Sequence, residues 1–442
     1  MLRNKGRTCR ARKRRKLIVT STHSGVNQSH KLEHIQLKKW LKHRGFEDNT
    51  LKTAHFPGSI LRGTGRGLLA TKSLQAGERI IALPERCLLT TGVVLESDLG
   101  EYIKNWKPPV SPLLALSTYL IAEKYAGDQS QWKPYLDVLP SSYTCPVCWD
   151  HSTVTLLPEP LRGKAQEQRT CLQELYTSSL PFFSSLQPLF PESVERILNY
   201  EALLWAWCTV NTRTVYMKHP HREWFSKEVD LYALAPYLDL LNHSPTVQVN
   251  AAFNQRSRCY EITAGSSCRK FEQVFICYGP HDNQRLLLEY GFVVSQNPHS
   301  VVYVPTAVLL QNVSKTDKQL NKKLSLLKEH AFLENLTFGI DGPSWKLLVA
   351  LKLLCLEAEE FMCWKKVLIG ERISDGNEKK AVALAIRICL HLIEDTCDAI
   401  EKISSLKGEK VDLKDQLTLV EQLRLEDLSI LQASREILQN LG

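Results

Sequence analysis

Two stretches share one design and constrain the fold more than anything else in the chain. Ala235-Pro-Tyr-Leu-Asp-Leu-Leu-Asn-His-Ser244 is apolar as far as Leu241 and turns abruptly polar at Asn242-His243-Ser244. Glu272-Gln-Val-Phe-Ile-Cys-Tyr-Gly-Pro280 holds a β-like run, Val274 to Tyr278, that stops at Gly279-Pro280. A helical pattern follows it, with Leu286, Leu287 and Leu288 as its apolar residues and Gln284, Arg285 and Glu289 as its polar face. A tyrosine at the end of a buried strand, just before a Gly-Pro break, sits where the hydrogen-bonded ladder stops and a side chain can face a pocket. Asn-His-Ser before Pro245 holds a similar position.

Around this centre the chain reads as globular. Its 442 residues exceed one ordinary core, so two or three units are expected. The 43% hydrophobic and 23% charged content is ordinary for folded domains. No uncharged apolar run reaches the roughly 18 residues of a membrane span. The N-terminus is basic without a following apolar core, so it does not read as a secretory signal. Thirteen cysteines are an odd number, scattered through apolar patterns such as Leu353-Leu-Cys-Leu356. They read as reduced, core-filling thiols of an intracellular protein.

The formal charge of +9 has a single source. Arg3, Lys5, Arg7, Arg10, Arg12, Lys13, Arg14, Arg15 and Lys16 precede any acid, and without these nine the 56 basic residues fall to 47, matching the 47 acids. The body is formally neutral and the basicity belongs to a tail without apolar periodicity, expected to be disordered. Such a tail reads as a nuclear import signal, as a contact to nucleic acid or chromatin, or as a solvated end without a dedicated partner.

Ser29 to His43 follows, with Leu32, Ile35, Leu37 and Trp40 predicted as the apolar face of a helix and Ser29 as its N-cap. Gly63-Thr-Gly-Arg-Gly-Leu-Leu-Ala70 leads into Gln75-Ala-Gly-Glu-Arg-Ile-Ile-Ala-Leu-Pro84, a turn and a short β-run closed by proline. Ser111 to Ala126 reads as a helix with Leu113, Leu114, Leu116, Leu120 and Ile121 on its apolar side. Trp132-Lys-Pro-Tyr-Leu-Asp-Val-Leu-Pro140 reads as packing rather than chemistry. Cys145-Pro-Val-Cys148, with His151 behind it, has metal-like spacing, but no second such pair exists, so two reduced thiols are favoured over a zinc site and no metal is assigned. Glu159 to Tyr200 is largely helical, and Glu201 to Arg213 is an apolar helix with Arg213 at its end. Val301 to Pro305 reads as a last strand, and the chain beyond Ser314 as helical, with Trp345–Val367 densely apolar and Ala381–Ile403 and Val411–Leu441 amphipathic.

Asn242-His243-Ser244, Tyr278-Gly279 and Tyr290-Gly291-Phe292 together resemble the C-terminal half of a SET domain of the split class, similar to the plant Rubisco large-subunit lysine methyltransferase. The resemblance extends over roughly Leu37 to Gly442, and the Trp132 run is a recurring signature of the class. It implies an α+β fold: a SET domain of short β-sheets with a pseudoknot, a helical insert and an all-α C-terminal lobe. Its implied limits are a basic tail over 1–28, the N-terminal helix and first half of the SET domain over 29–140, the insert over 141–212, the second half with the active site over 213–297, and a substrate-docking lobe over 298–442. The activity implied is methyl transfer from S-adenosyl-L-methionine to a protein lysine. The matching positions make Tyr278 the catalytic residue. They place Thr64, Gly65, Arg66, Gly67, Arg213, Asp239, Asn242, His243, Tyr278 and Phe292 at the cofactor, and Val215 and Tyr290 at the substrate channel. Only glycines let backbone amides come this close to a ligand, which suits the Gly65 and Gly67 loop.

Two other readings stand beside this one. A branch of the same class methylates histidine and carries Asn two residues after the arginine matching Arg213. That position is Val215 here, which suits an aliphatic lysine chain. A non-catalytic binding module would show a lost tyrosine or a broken Asn-His pair, and neither is lost here. The implied partner is a histone tail or another lysine-bearing protein, with an import receptor or chromatin DNA for the tail, no membrane, a monomeric state, and residence in nucleus and cytoplasm. Deleting residues 1–16 is expected to move the protein from nucleus toward cytoplasm without changing its melting temperature. Unchanged nuclear localisation, scored by microscopy of the tagged truncation, would assign the tail no import role.

Overall fold

Apolar runs broken by glycine turns become short strands in the first of two units into which the chain divides. The computed structural model describes residues 25–56, 65–409 and 411–441. The basic tail and Thr64 lie outside them. The first unit holds the described residues up to Cys148 with Gln168–Pro280 and Glu289–Gly291; the second holds Trp149–Glu167, His281–Leu288 and the described residues from Phe292 onward.

In the first unit, β1 (Val26–Asn27), β2 (Leu51–His55) and β3 (Arg66–Ala70) are followed by β4 (Arg79–Pro84), β5 (Thr214–Tyr216) and β6 (Tyr232–Leu234). Then come β7 (Asn242–His243), β8 (Val249–Asn254), β9 (Cys259–Ala264) and β10 (Gln273–Ile276). They form sheets in the orders β1-β2-β3-β10-β7, β4-β9-β8 and β5-β6. β10 is the pivot of the first sheet. It runs antiparallel to β3, with Gln273 opposite Leu69, and parallel to β7, with Phe275 opposite Asn242 and Ile276 opposite His243. The two stretches singled out in the sequence are thereby laid side by side.

Helix α1 (Leu32–His43) corrects the sequence expectation in two ways. Ser29 does not cap it: Lys31 is the N-cap residue and offers no side-chain bond, while the Ser29 hydroxyl lies 3.4 Å from the Thr53 carbonyl oxygen. The buried face is His34, Leu37 and Leu41, whereas Leu32 and Ile35 are 67% and 37% exposed. Hydrophobic spacing left the helix's rotation open, and the C-terminal end decides it. Gly45, at φ 77°, lets its N–H donate to the Lys42 carbonyl and the Phe46 N–H to the Leu41 carbonyl, both at 2.9 Å, which folds the buried Phe46 back toward Leu41. Trp40 faces Trp132 at 5.2 Å, with the Arg44 guanidinium 4.2 Å and 4.9 Å from the two rings.

Helix α2 (Pro112–Ala126) forms as expected, with the Ser111 hydroxyl accepting from the Leu114 N–H at 3.1 Å and Pro112 at its first position. It is buried along most of its length, polar Ser117 and Thr118 included. The insert region holds a long helix over Glu159–Ser185 and a short one over Val194–Ile197. Helix α3 (Tyr200–Arg213) is capped by the Asn199 side chain and ends where β5 begins. The cysteines of the described residues are free thiols, and Cys148 Sγ stands 3.6 Å from Cys208 Sγ.

The second unit contains a C-terminal helical lobe together with Trp149–Glu167 and His281–Leu288. Helices α4 (Trp345–Leu354), α5 (Asp375–Glu409) and α6 (Lys414–Leu441) share a core containing Leu347, Leu351, Ala385, Ile388, Leu431 and Leu438. The lobe adds a three-stranded sheet of β11 (Val302–Tyr303), β12 (Thr337–Gly339) and β13 (Gly342–Pro343). Asp341-Gly342 is the local turn signal for this hairpin, and the fully buried Phe338 anchors it. Lys323, 1% exposed, donates to Asp317 Oδ2 at 2.6 Å and to the carbonyls of Leu354 at 3.2 Å and Leu356 at 2.6 Å. Its ammonium satisfies the last turn of α4 from outside the helix. Lys323→Met leaves a carboxylate and two carbonyls without their donor, and should lower the stability of the chain by about 3 kcal/mol in chemical denaturation. An unchanged midpoint would mean that water replaces the ammonium at no cost.

Candidate active site

The chain reaches the site through a strained turn. Tyr237 is fully buried at φ 73°, ψ −42°, close to the rarely adopted γ-turn conformation. Its ring is held by Phe46 at 5.8 Å and by the Lys38 ammonium at 4.8 Å. This packing holds a backbone that a free chain would relax. The turn throws Leu238–Leu240 into one 3₁₀ turn and delivers Asp239 and Leu241 to the end of β7.

Tyr278 is then clasped at two points by the segment it meets. Its backbone N–H donates to His243 Nδ1 at 3.0 Å, and its phenolic O–H donates to the Leu241 carbonyl at 2.7 Å. The first bond requires an unprotonated Nδ1, which places the proton of a neutral His243 on Nε2. The second uses the phenol's one hydrogen, leaving oxygen lone pairs as acceptors. The His243 and Tyr290 rings stand 5.2 Å and 5.1 Å from the Tyr278 ring. Burial raises the Tyr278 phenol well above its ordinary pKa, against the opposing pull of Arg213, so the group is neutral at physiological pH.

Arg213 and Asp239 form the charged floor. Arg213 Nη1 donates to the Asp239 backbone carbonyl at 2.9 Å. Burial works against the guanidinium charge, but Asp239 and the ring hydroxyls of Tyr143, Tyr278 and Tyr135 outweigh it, and Arg213 stays charged. Tyr135 donates its O–H to Asp239 Oδ2 at 3.1 Å, and the Tyr143 and Thr209 hydroxyls are 2.8 Å apart. The sequence reading passed over Tyr135 as packing. The Trp132 run does pack, with Trp132 Nε1 donating to the Tyr119 hydroxyl at 3.1 Å, yet it also carries this hydroxyl to the site.

The glycine loop closes the arrangement. Asn242 Nδ2 donates to the Arg66 carbonyl at 2.8 Å, and Arg66 Nη1 donates to the Val138 carbonyl at 2.9 Å. Gly65 has φ 58°, and a Cβ there would stand 2.4 Å from the His55 ring. A Cβ on Gly67 would stand 2.4 Å from Gln273 Nε2 and 2.8 Å from Asn242 Nδ2. Arg213 Nε, Asp239 Oδ1 and Gln273 Nε2 are buried without a hydrogen-bond partner among the described residues. Gln273, like Tyr135, is missing from the residues picked out by sequence, because its role comes from its place opposite the glycine loop. Unspent donors and an acceptor beside a backbone kept bare by glycine fit a polar ligand that lies along the loop.

A cavity of about 310 Å³ is lined by Arg213, Val215, Asp239, Tyr278 and Tyr290, with Leu238, Ala251, Ile262 and Ile276 as apolar wall; Gln273 and the two glycines are not in its lining. Of the residues expected at the site, Gly65, Arg66, Gly67, Arg213, Val215, Asp239, Asn242, His243, Tyr278 and Tyr290 belong to the first unit. Phe292 belongs to the second.

Residues 65–279 match the SET domain, and residues 314–431 match the Rubisco LSMT substrate-binding domain. The chain belongs to the SET-domain family. Over 441 residues it is 60% identical to the human protein "SET domain-containing protein 4", covering 100% of this chain and 99% of that one. It is 27% identical over 307 residues to a ribosomal lysine N-methyltransferase of Schizosaccharomyces pombe, covering 68% of this chain and 71% of the relative. It is also 27% identical over 347 residues to an actin-histidine N-methyltransferase of Drosophila melanogaster, covering 74% and 60%. Among solved structures, the SET domain of LSMT bound to lysine and AdoHcy superposes with a TM-score of 0.60 at 19% identity, covering 93% of this chain and 92% of that one; this likeness is one of fold. The family's relatives thus include both lysine and histidine methyltransferases acting on proteins.

Gly67→Ala tests the bare-backbone cradle. The added methyl cannot be housed without moving Gln273 or Asn242, and the variant should lose about 1–3 kcal/mol of stability. Thermal melts within a few tenths of a degree of the parent would show that the loop has room to spare.

Proposed function

We propose that the chain is a protein-lysine N-methyltransferase using S-adenosyl-L-methionine, with a histone tail or another lysine-bearing protein as substrate. The observation that carries this reading is the Tyr278 hydroxyl, its hydrogen spent on the Leu241 carbonyl and its oxygen held beside the 310 Å³ cavity. The cofactor supplies an electrophilic methyl group on a sulfonium centre. Everything else required is orientation and exclusion of water, and this chain's residues are suited to both.

A lysine amine has to be neutral to attack, and its ordinary pKa is ~10.4. Val215, Ala251 and Ile262 on the cavity wall disfavour the ammonium form by desolvating it. Tyr278 is not the base, because its phenol is pushed up by burial and its proton is already donated. Its role is that of a fixed acceptor for polarised C–H or N–H groups at the reacting centre. His243 positions it by accepting from its backbone N–H. Gly65 and Gly67 allow the backbone to approach the cofactor, and Arg213 Nε and Gln273 Nε2 are the donors left for its polar groups. Asn242 has committed one of its two side-chain N–H groups to the Arg66 carbonyl, so the second N–H and the side-chain oxygen are what remain for an adenine edge. Val215 favours lysine over histidine as acceptor, since an imidazole would need a hydrogen-bonding partner at that wall.

Tyr278→Phe should cut methyl transfer by on the order of 10²–10³ while leaving cofactor affinity within a few-fold. The assay is labelled-methyl incorporation into a protein array, with mass spectrometry of the modified residue. Retained turnover in the variant removes Tyr278 from the role given to it, and a methylated histidine in place of lysine overturns the choice of acceptor.

A further inference from the structure

A second cavity, of about 510 Å³, lies wholly within the second unit and shares no residue with the site above. Its walls come from the start of the Glu159–Ser185 helix, from the Asn283–Tyr290 helix, from β11 and from helices α5 and α6. Most cavities of this size are lined largely by apolar side chains. This one is lined by charges.

Two of its buried polar groups are acceptors, Asp427 and Gln284. Asp427 is 3% exposed, and the influences on its carboxyl are burial, the attraction of Arg424 and the repulsion of Asp282 and Glu426, with no hydrogen bond among them. Gln284 is 4% exposed, and its Oε1 is buried without a partner among the described residues. The nearby buried cation is already committed. Arg424 donates twice to the Leu156 carbonyl, at 3.2 Å and 3.0 Å, and once to Asp395 at 2.9 Å. Arg162 and Lys402 also line the cavity, but they are half-buried and exposed, and their long chains can stay in water. A buried amide oxygen without a donor and a carboxylate shielded from water are costly, and a ligand that brings donors and positive charge lowers that cost.

We propose that this cavity is a docking subsite for one cationic side chain, arginine or lysine, of the protein substrate, with Asp427 and Gln284 as its acceptors. The proposal rests on reading the chain as a protein methyltransferase, and it extends that reading to a contact remote in sequence from the methylated residue. The rest of the wall suits such a guest, since Glu159, Asp395 and Asp398 give the rim further negative charge against Arg162 and Lys402. The site also has a built-in pH response. Burial pushes the Asp427 carboxyl up to about 7, so its charge, and with it the attraction for a cation, fades as pH falls through neutrality. His391 lies on the same wall.

The test is direct binding to the full chain without cofactor, by calorimetry or NMR titration. The probes are N-acetyl-L-arginine amide, N-acetyl-L-lysine amide and the neutral isostere N-acetyl-L-citrulline amide. Arginine amide should bind at least about tenfold more tightly than citrulline amide at pH 8, and roughly tenfold more weakly at pH 6. The lysine arm decides whether the subsite prefers the planar guanidinium. Asp427→Asn should abolish the preference over citrulline and flatten the pH profile, while turnover of a short lysine peptide stays as in the parent. Gln284→Glu should tighten arginine-amide binding by about threefold or more. Equal affinity for arginine and citrulline amides, an unchanged pH profile in Asp427→Asn, or no tightening in Gln284→Glu overturns the proposal. Methyl transfer does not enter this readout. A chain that binds the probe but methylates nothing overturns the proposed activity and leaves the subsite standing, and the converse result does the reverse.

Discussion

The hydrogen bond from the Tyr278 backbone to His243 Nδ1 is the contact on which the first unit's chemistry depends. It joins the residue just beyond β10 to the last residue of β7, strands that already pair in parallel. A parallel pair cannot be closed by a tight turn, and here the β8–β9 hairpin occupies the intervening chain. The geometry of the Tyr278 ring is therefore set by long-range pairing rather than by its neighbours in sequence. The same contact gives His243 a fixed tautomer and leaves the phenol free to spend its hydrogen on Leu241.

Beneath that clasp lies a buried polar network whose members support one another. Arg213 holds the Asp239 backbone, Tyr135 holds the Asp239 carboxylate, and Tyr237 takes the unfavourable turn that puts Asp239 there. Each would be costly alone in a buried setting. Among the described residues they leave Arg213 Nε and Asp239 Oδ1 without a partner, on residues that line the 310 Å³ cavity. In the second unit an acceptor, Gln284 Oε1, is buried without a partner among the described residues, in a cavity that Asp427 also lines. The difference in sign argues for a different guest.

Much of this was legible in order of local signal strength. Helices α2 and α3 begin where Ser111 and Asn199 offer a cap, and the β-run expected over Val274–Tyr278 is a strand that stops at Ile276, two residues before Tyr278. Paired motifs with a known family pattern carried the family assignment, which whole-chain similarity bears out. The face of α1 was misjudged because its apolar residues surround more than one side, and the choice among them falls to Phe46 and the Gly45 turn. The β12–β13 hairpin hid in a region of helical composition, although Asp341-Gly342 marked the turn.

What the sequence by itself determined is the set of things that short-range chemistry can encode: the caps, the glycines kept free of Cβ, the tyrosine before a break, the neutral body and the basic end. Tertiary structure alone decided which distant atoms share a dry environment. Tyr135 meets Asp239, Gln273 faces Gly67, and Asp427 lines one cavity with Gln284, whose Oε1 has no partner among the described residues, because burial brings such groups together from separate elements. Removing water is what turns a polar side chain from a solvated bystander into a group that must be paired, and no local pattern in the chain records where the water will go.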